Sequence, residues 1–305
     1  MYTAPSGRQI ELRHGEQVVV VTEVGAGLRS YMAGARPVID GYPETQSCTG
    51  ARGHSLIPWP NRVKDGKYGW DGIEHQLDLT EPAFSGAIHG LTRWASWQLL
   101  EHDGAHVSLG HILYPCPGWP WVLECRIDYS LDDTGLSVHT TATNLGEGPC
   151  PYGTGAHPYL SVGTPTIDTA HARVPGSLYL PVDAVGIPTG REPVQGTHYD
   201  LRTEELLGAR KIDVAYTDLD RGPDGRARVR LHLPSGPAVA LWADEGYPYL
   251  EVFTGDSLPQ PERRRTGLGV EPMTCAPNAF NSGDGLLTLD PGQGHSARWG
   301  IEPYA

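Results

Sequence analysis

The sequence predicts an all-β protein with very little helix. Three observations carry this. Glycine and proline supply 39 and 27 of the 305 residues, which suits short strands joined by turns and not long helices. Charged residues are only 19 % of the chain and apolar ones 39 %, so a large core can be buried and the composition is not that of a disordered polymer. Several runs also alternate with period two, the pattern of half-buried strands. There is no internal repeat, low-complexity linker or composition break, so one domain over 1–305 is expected.

Taken in order, residues 9–32 hold three strand-like runs. Gln17–Thr22 is rich in β-branched residues, and Gly25-Ala-Gly27 separates it from Leu28–Met32, which predicts a hairpin pair. Residues 34–55 read as irregular, and 73–79 as a strand. In Gly135–Asn144, Leu136, Val138, Thr140 and Ala142 share one face; His139 falls on the polar face and is given no role. Proline recurs through 161–202, which reads as loop. Thr203–Gly208 is the one short helix expected, capped by Thr203 and stopped by Gly208. Ala227–Leu233, Ala238–Trp242, Tyr249–Thr254 and His295–Ile301 read as strands, the last closing the sheet system.

Charge and cysteine content bound the function. A net charge of −13 argues against nucleic acid or an anionic membrane as partner. No run approaches the roughly 18 apolar residues of a membrane helix. Met1–Gln9 lacks the basic and apolar regions of a signal peptide. Five cysteines at irregular spacing, with no Cys-x-x-Cys, read as reduced thiols and imply a cytoplasmic protein.

The candidate functional residues lie beside prolines and glycines. Glu271 ends an apolar run and is followed by Pro272, which favours an extended Glu271 and is expected to end regular pairing; the ten residues after it read as a shaped loop. A carboxylate there can have its pKa tuned for proton transfer; a strand-end ion pair is the competing reading. His157 precedes Pro158 in Gly-Ala-His-Pro-Tyr, and an imidazole exchanges protons cheaply near neutrality. Pro-Trp-Pro-Asn-Arg (58–62) presents Arg62 from a stiff segment, its guanidinium suited to hydroxyl pairs, carboxylates or phosphates. His89 is followed by Gly90, which permits a tight turn or close backbone approach. Asp213, between apolar neighbours, is either a turn former or an acceptor for hydroxyls. Trp119 and Trp121 sit in a Pro-rich loop where an exposed indole would stack on a sugar ring, or pack back on the core. The Arg263–Arg265 run reads as a solvated loop, with phosphate binding as the alternative.

Several chemistries find no support. There is no Gly-x-Gly-x-x-Gly or Walker loop, no Gly-x-Ser-x-Gly elbow and no His-Glu-x-x-His, and the 13 histidines lack metal-ligand spacing. A metal assembled from distant strands stays open, with nothing in the sequence pointing to it.

Pro-Trp-Pro-Asn-Arg-Val (58–63), Ala-Ile-His-Gly-Leu (87–91), Gly-Ala-His-Pro-Tyr (155–159), Ile-Asp (212–213) and Gly-Val-Glu-Pro…Ala-Pro-Asn (269–278) follow one another in an order that resembles the aldose 1-epimerases, or galactose mutarotases. The resemblance spans roughly residues 18–300. It implies a large antiparallel β-sandwich (the galactose mutarotase-like supersandwich) with the sugar in an open cleft. It implies His157 as general acid towards the ring oxygen and Glu271 as general base towards the C1 hydroxyl. Arg62, His89 and Asp213 would hold the sugar, with no cofactor. Trp59 departs from the pattern, standing where the family often has Tyr. The expected partner is a free aldohexose such as galactose or glucose, and the expected assembly a monomer or homodimer. A hexose 6-phosphate epimerase and a non-catalytic sugar sensor are the alternatives.

Overall fold

The computed structural model describes residues 3–304; Met1 and Tyr2 of the N-terminal stretch, and Ala305, lie outside the described residues. The prediction of an all-β protein is borne out. Among the described residues the one α-helix is the single turn Ala279–Ser282, which falls where the sequence read as loop. Strands assemble into a nine-stranded antiparallel sheet, an eight-stranded sheet, a four-stranded sheet at the N-terminus and three hairpin-sized pairs.

The nine-stranded sheet runs in the order Gln98–His102, His106–Leu113, Leu123–Asp132, Gly135–Asn144, Gly294–Tyr304, Ala238–Ala243, Ala227–His232, His171–Arg173, Glu205–Leu206. Its long strands alternate as expected: Leu123–Asp132 buries Leu123, Cys125, Ile127, Tyr129 and Leu131 and turns the residues between them outward. The C-terminal strand does not close the system at an edge. It lies at the centre, pairing Gly135–Asn144 on one side and Ala238–Ala243 on the other. The expected hairpin of Gln17–Thr22 with Leu28–Ala33 forms. One continuous apolar cluster links the sheets through fully buried groups such as Tyr31, Trp97, Tyr129, Tyr216 and Trp299. Each such side chain withdrawn from water contributes about 1.5–3 kcal/mol.

Two local expectations are corrected and one choice is decided. Thr203–Gly208 is not a helix: Glu205–Leu206 pairs with His171–Ala172 as a short edge strand, so tertiary pairing overrides a weak capping signal. Trp119 takes the second of its two readings: it packs back on the core, fully buried against Phe280 and Trp121. The Arg263–Arg265 run is not a solvated loop: Arg263 pairs with Asp40, Arg265 with Asp168 and Asp256, and Arg264 donates to the Leu258 carbonyl.

The eight-stranded sheet carries the candidate site. Its order is Glu192–Pro193, Gly176–Tyr179, Asp213–Leu219, Tyr249–Phe253, Leu268–Met273, Gly155–Ala156, Ser55–Leu56, with Tyr159–Leu160 also pairing Leu268–Met273. Glu271 is therefore inside a strand, not at its end. Pro272 does not stop the strand but thins its ladder. Val270 donates to the Pro158 carbonyl and Thr274 to the Thr154 carbonyl, and between them Pro272 has no N–H to give. Pro158 likewise has none. The partner ladder accordingly splits into two short strands, and His157 sits in the gap.

Candidate active site

The register places the key residues in one row across the sheet. Gly155 pairs with Met273 and Tyr159 with Gly269, so His157 lies opposite Glu271. Glu271 pairs in turn with Glu251, and Glu251 with Ala215. On the other side the His157 N–H donates to the His54 carbonyl at 3.0 Å. The row therefore reads His54, His157, Glu271, Glu251, Ala215. Cross-strand partners share a face, and Asp213, two residues before Ala215, joins them diagonally.

His157 Nε2 and Glu271 Oε1 are 3.0 Å apart, with both side chains almost wholly buried. Burial pulls His157 down to about 3, with Arg52 adding to the effect. Burial also pushes the Glu271 carboxyl well above its ordinary value, helped by the nearby Asp213 charge and opposed by Arg62. Both shifts favour the neutral forms. With both groups neutral, Glu271 has a proton to donate to Nε2 and His157 keeps its own on Nδ1. A proton transfer within the pair yields imidazolium and carboxylate, an acid and a base side by side. The imidazole stacks on Tyr159 at 4.9 Å, and the buried Arg52 lies over the other ring at 4.5 Å while pairing with Asp40. Those contacts fix the His157 ring plane. His157 Nδ1 and Glu271 Oε2 have no hydrogen-bond partner among the described residues, although both are buried. Unpaired buried polar atoms are costly, and they concentrate where a ligand supplies the missing partner.

His89 meets His157 edge to face at 5.2 Å. Its backbone is left-handed, as is that of Asn61, and the two residues bond reciprocally. The His89 N–H donates to the Asn61 carbonyl at 2.9 Å, and the Asn61 N–H donates to His89 Nδ1 at 3.2 Å. With Nδ1 accepting, neutral His89 carries its proton on Nε2; burial, followed by the charges of its neighbours, holds it well below the ordinary histidine range. Gly90 permits the close approach expected of it, since a Cβ there would lie 2.1 Å from the Ile57 carbonyl.

Arg62 is gripped by Glu81, Nε to Oε2 at 2.6 Å and Nη2 to Oε1 at 2.9 Å. Phe84 lies under the guanidinium at 4.7 Å, and Gly186 approaches so closely that a Cβ would touch Nη1 at 2.6 Å. Arg62 also acts on the charges of Asp213 and Glu251. Of the two readings of Asp213, the turn former is set aside. The residue opens the strand Asp213–Leu219 and is exposed, yet protein surrounds its carboxyl, which is pushed up to about 6 by desolvation with Arg62 opposing.

All five residues picked out from sequence therefore converge. His89, His157 and Glu271 bring ligand atoms within 4.8 Å of one another, a set that could hold a divalent ion. Within it His157 Nε2 and Glu271 Oε1 face each other and His89 Nδ1 accepts from Asn61, which leaves His89 Nε2 and Glu271 Oε2 open towards a ligand. Trp121 lines a separate hollow of about 530 Å³ with Trp70, His75 and Ile73, which shares no residue with this cluster. Trp59 points into the core against Phe280. Sequence reading missed Glu251, Glu81 and His54. For Glu251 a signal was present: a carboxylate framed by apolar residues in Tyr-Leu-Glu-Val-Phe.

A family model described as aldose 1-epimerase matches residues 8–302. The chain is 35 % identical over 292 residues to the uncharacterized protein YihR of Escherichia coli (strain K12), covering 95 % of this chain and 91 % of that one. It is 28 % identical over 236 residues to human galactose mutarotase, covering 72 % and 66 % respectively. Among solved structures, a GalM/aldose epimerase homologue from C. elegans superposes with a TM-score of 0.87 at 16 % identity, over 97 % of this chain and 98 % of that one. A galactose 1-epimerase from Lactobacillus acidophilus NCFM gives 0.80 at 19 % identity, over 97 % and 94 %. These likenesses are of fold, and they bear out the sandwich architecture expected from the motifs.

Proposed function

This chain belongs to the aldose 1-epimerase family, and we propose that it interconverts the α and β anomers of a free aldohexose by general acid–base ring opening and reclosure. The observation that carries this reading is the His157–Glu271 pair, two buried titratable groups 3.0 Å apart. Opening a pyranose needs a proton delivered to the ring oxygen and another taken from the C1 hydroxyl. His157 delivers the first and Glu271 removes the second. The aldehyde then rotates about C1–C2 and recloses from its other face with the duties exchanged. Each well-placed group supplies roughly 10²–10⁴-fold in rate. Arg62, His89 and Asp213 hold the hydroxyls, Arg62 and His89 Nε2 as donors and Asp213 as acceptor.

The test is polarimetry on freshly dissolved α-D-glucose and α-D-galactose. Acceleration of the drift to equilibrium supports the reading; sugar binding without acceleration would leave a sensor. Arg62→Ala is expected to raise KM by about 10- to 100-fold with a smaller change in kcat, the loss of a charged hydrogen bond. A pure loss of kcat would contradict its binding role.

One observation favours the sugar phosphate reading. Arg263 and Arg265 are tied to internal carboxylates and supply no phosphate subsite. Arg93, in contrast, is half-buried, makes no hydrogen bond or ion pair among the described residues, and acts on the charges of His54, His89 and His157. If the substrate carries an anionic group, Arg93 is its partner. Arg93→Ala would then weaken a hexose 6-phosphate by about 10-fold or more and leave the free hexose near its wild-type KM. Equal effects on both sugars would end this reading.

A further inference from the structure

Glu251 is a buried carboxyl that the proposed reaction does not use. It lies directly across from Glu271 and diagonal to Asp213 on one face of the sheet. Like charges in that arrangement repel, and the one nearby guanidinium, Arg62, gives both Nε and Nη2 to Glu81. Arg62 opposes the shifts of all three neighbouring carboxyls, but with those donors held by Glu81 it is outweighed by burial.

The surroundings of Glu251 indicate how the conflict resolves. Asn61 Nδ2 donates to Glu251 Oε2 at 3.4 Å, so that oxygen acts as an acceptor. The Asp213 carboxyl, diagonal to it across the strand pair, interacts with it side chain to side chain. Two carboxyl groups bond only when one carries a proton. Glu251 is 4 % exposed and faces a second acid in Glu271, whereas Asp213 is the more exposed residue and Arg62 is the chief group favouring its charged form, so the proton belongs on Glu251 and the charge on Asp213. The groups facing Glu251 are Asn61 and Arg62 from the 58–63 segment, Asp213 from its strand and Glu271 from the other neighbour; none of them supplies a free positive charge.

We propose that Glu251 is a positioning residue that works as a neutral acid, donating its proton to Asp213 and so fixing the Asp213 carboxylate towards the substrate hydroxyls. The part concerning substrate rests on the reading of Asp213 as a sugar-binding residue. The neutral form matters for a second reason. An ionised Glu251 opposite Glu271 would raise the cost of the Glu271 carboxylate that must form in each turnover.

The test has two arms. The first needs no substrate: a difference infrared spectrum of wild type minus E251Q in D2O at neutral pH. The expected result is the C=O stretch of a protonated carboxyl; carboxylate bands in its place would overturn the proposal. This arm stands even if the protein turns out not to be a mutarotase. The second arm compares E251Q with E251L in the mutarotation assay. E251Q keeps an N–H donor for Asp213 and is expected to stay within about 3-fold of wild-type KM. E251L fills the space without a donor and is expected to raise KM by about 10- to 100-fold. E251Q as impaired as E251L would overturn the proposal, because a neutral donor would then not suffice.

Discussion

Glu271→Gln is expected to lower turnover in mutarotation by at least roughly 100-fold while leaving sugar affinity far less changed. The amide keeps the shape of the carboxyl and a hydrogen bond to His157 Nε2, so the buried pair at 3.0 Å is conserved in outline. What is lost is the proton that moves. An amide neither accepts the C1 hydroxyl proton nor passes one to the imidazole. Polarimetry yields kcat and KM for wild type and variant side by side. Near-normal turnover would remove Glu271 as the base, and a rise in KM alone would make it a binding residue.

The second large effect is on stability in acid. His54 and His157 are pulled to about 3 and His89 well below its ordinary value, chiefly by burial. As pH falls below 6.5 the unfolded chain protonates three histidines that the folded chain leaves neutral, which costs stability. Glu251, Glu271 and Asp213 have the opposite sign. Their folded pKa values are raised, so between about pH 4.5 and 6 the folded chain holds protons that the unfolded one has released. The two sets nearly cancel there. Below about pH 4.5 the unfolded acids protonate too, and only the histidine imbalance remains. Stability is expected to be nearly flat from pH 6.5 to 4.5 and then to fall by about 4 kcal/mol per pH unit down to about pH 3. Set against a typical 5–15 kcal/mol, this unfolds the protein within a few units. Glu23 and Asp132, whose pKa values are lowered, add in the same direction at the acid end. Urea titrations across pH measure the slope, and His54→Gln should reduce it by one proton's worth. An unchanged slope in that variant would mean that His54 is protonated in the fold.

Four of the five candidate residues were legible because each stands beside a residue with a strong backbone signature, and Asp213 because a charge stands between apolar neighbours. Pro158 and Pro272 mark His157 and Glu271, Gly90 marks His89, and Pro58 and Pro60 lead into Arg62. The reading of Pro272 as a strand terminator failed because proline forbids one hydrogen bond, not the extended conformation. The strand runs on through Met273. Glu205–Leu206 failed in a similar way: a cap-like Thr and a stopping Gly are local signals, and the edge of a nine-stranded sheet supplied a stronger pairing.

The sequence by itself determined the all-β class, the long alternating strands and the residue types of the site, because period, turn chemistry and proline act over a few neighbouring residues. Only the tertiary structure decided that His157 and Glu271 lie 3.0 Å apart, that Glu81 grips the guanidinium of Arg62, and that Glu251 lies between two other acids. Those facts depend on register between strands tens to more than a hundred residues apart in sequence, and on burial that no local pattern encodes. A carboxyl in water is a charge. The same carboxyl in this row, with its neighbours fixed and its cations taken, is a hydrogen-bond donor.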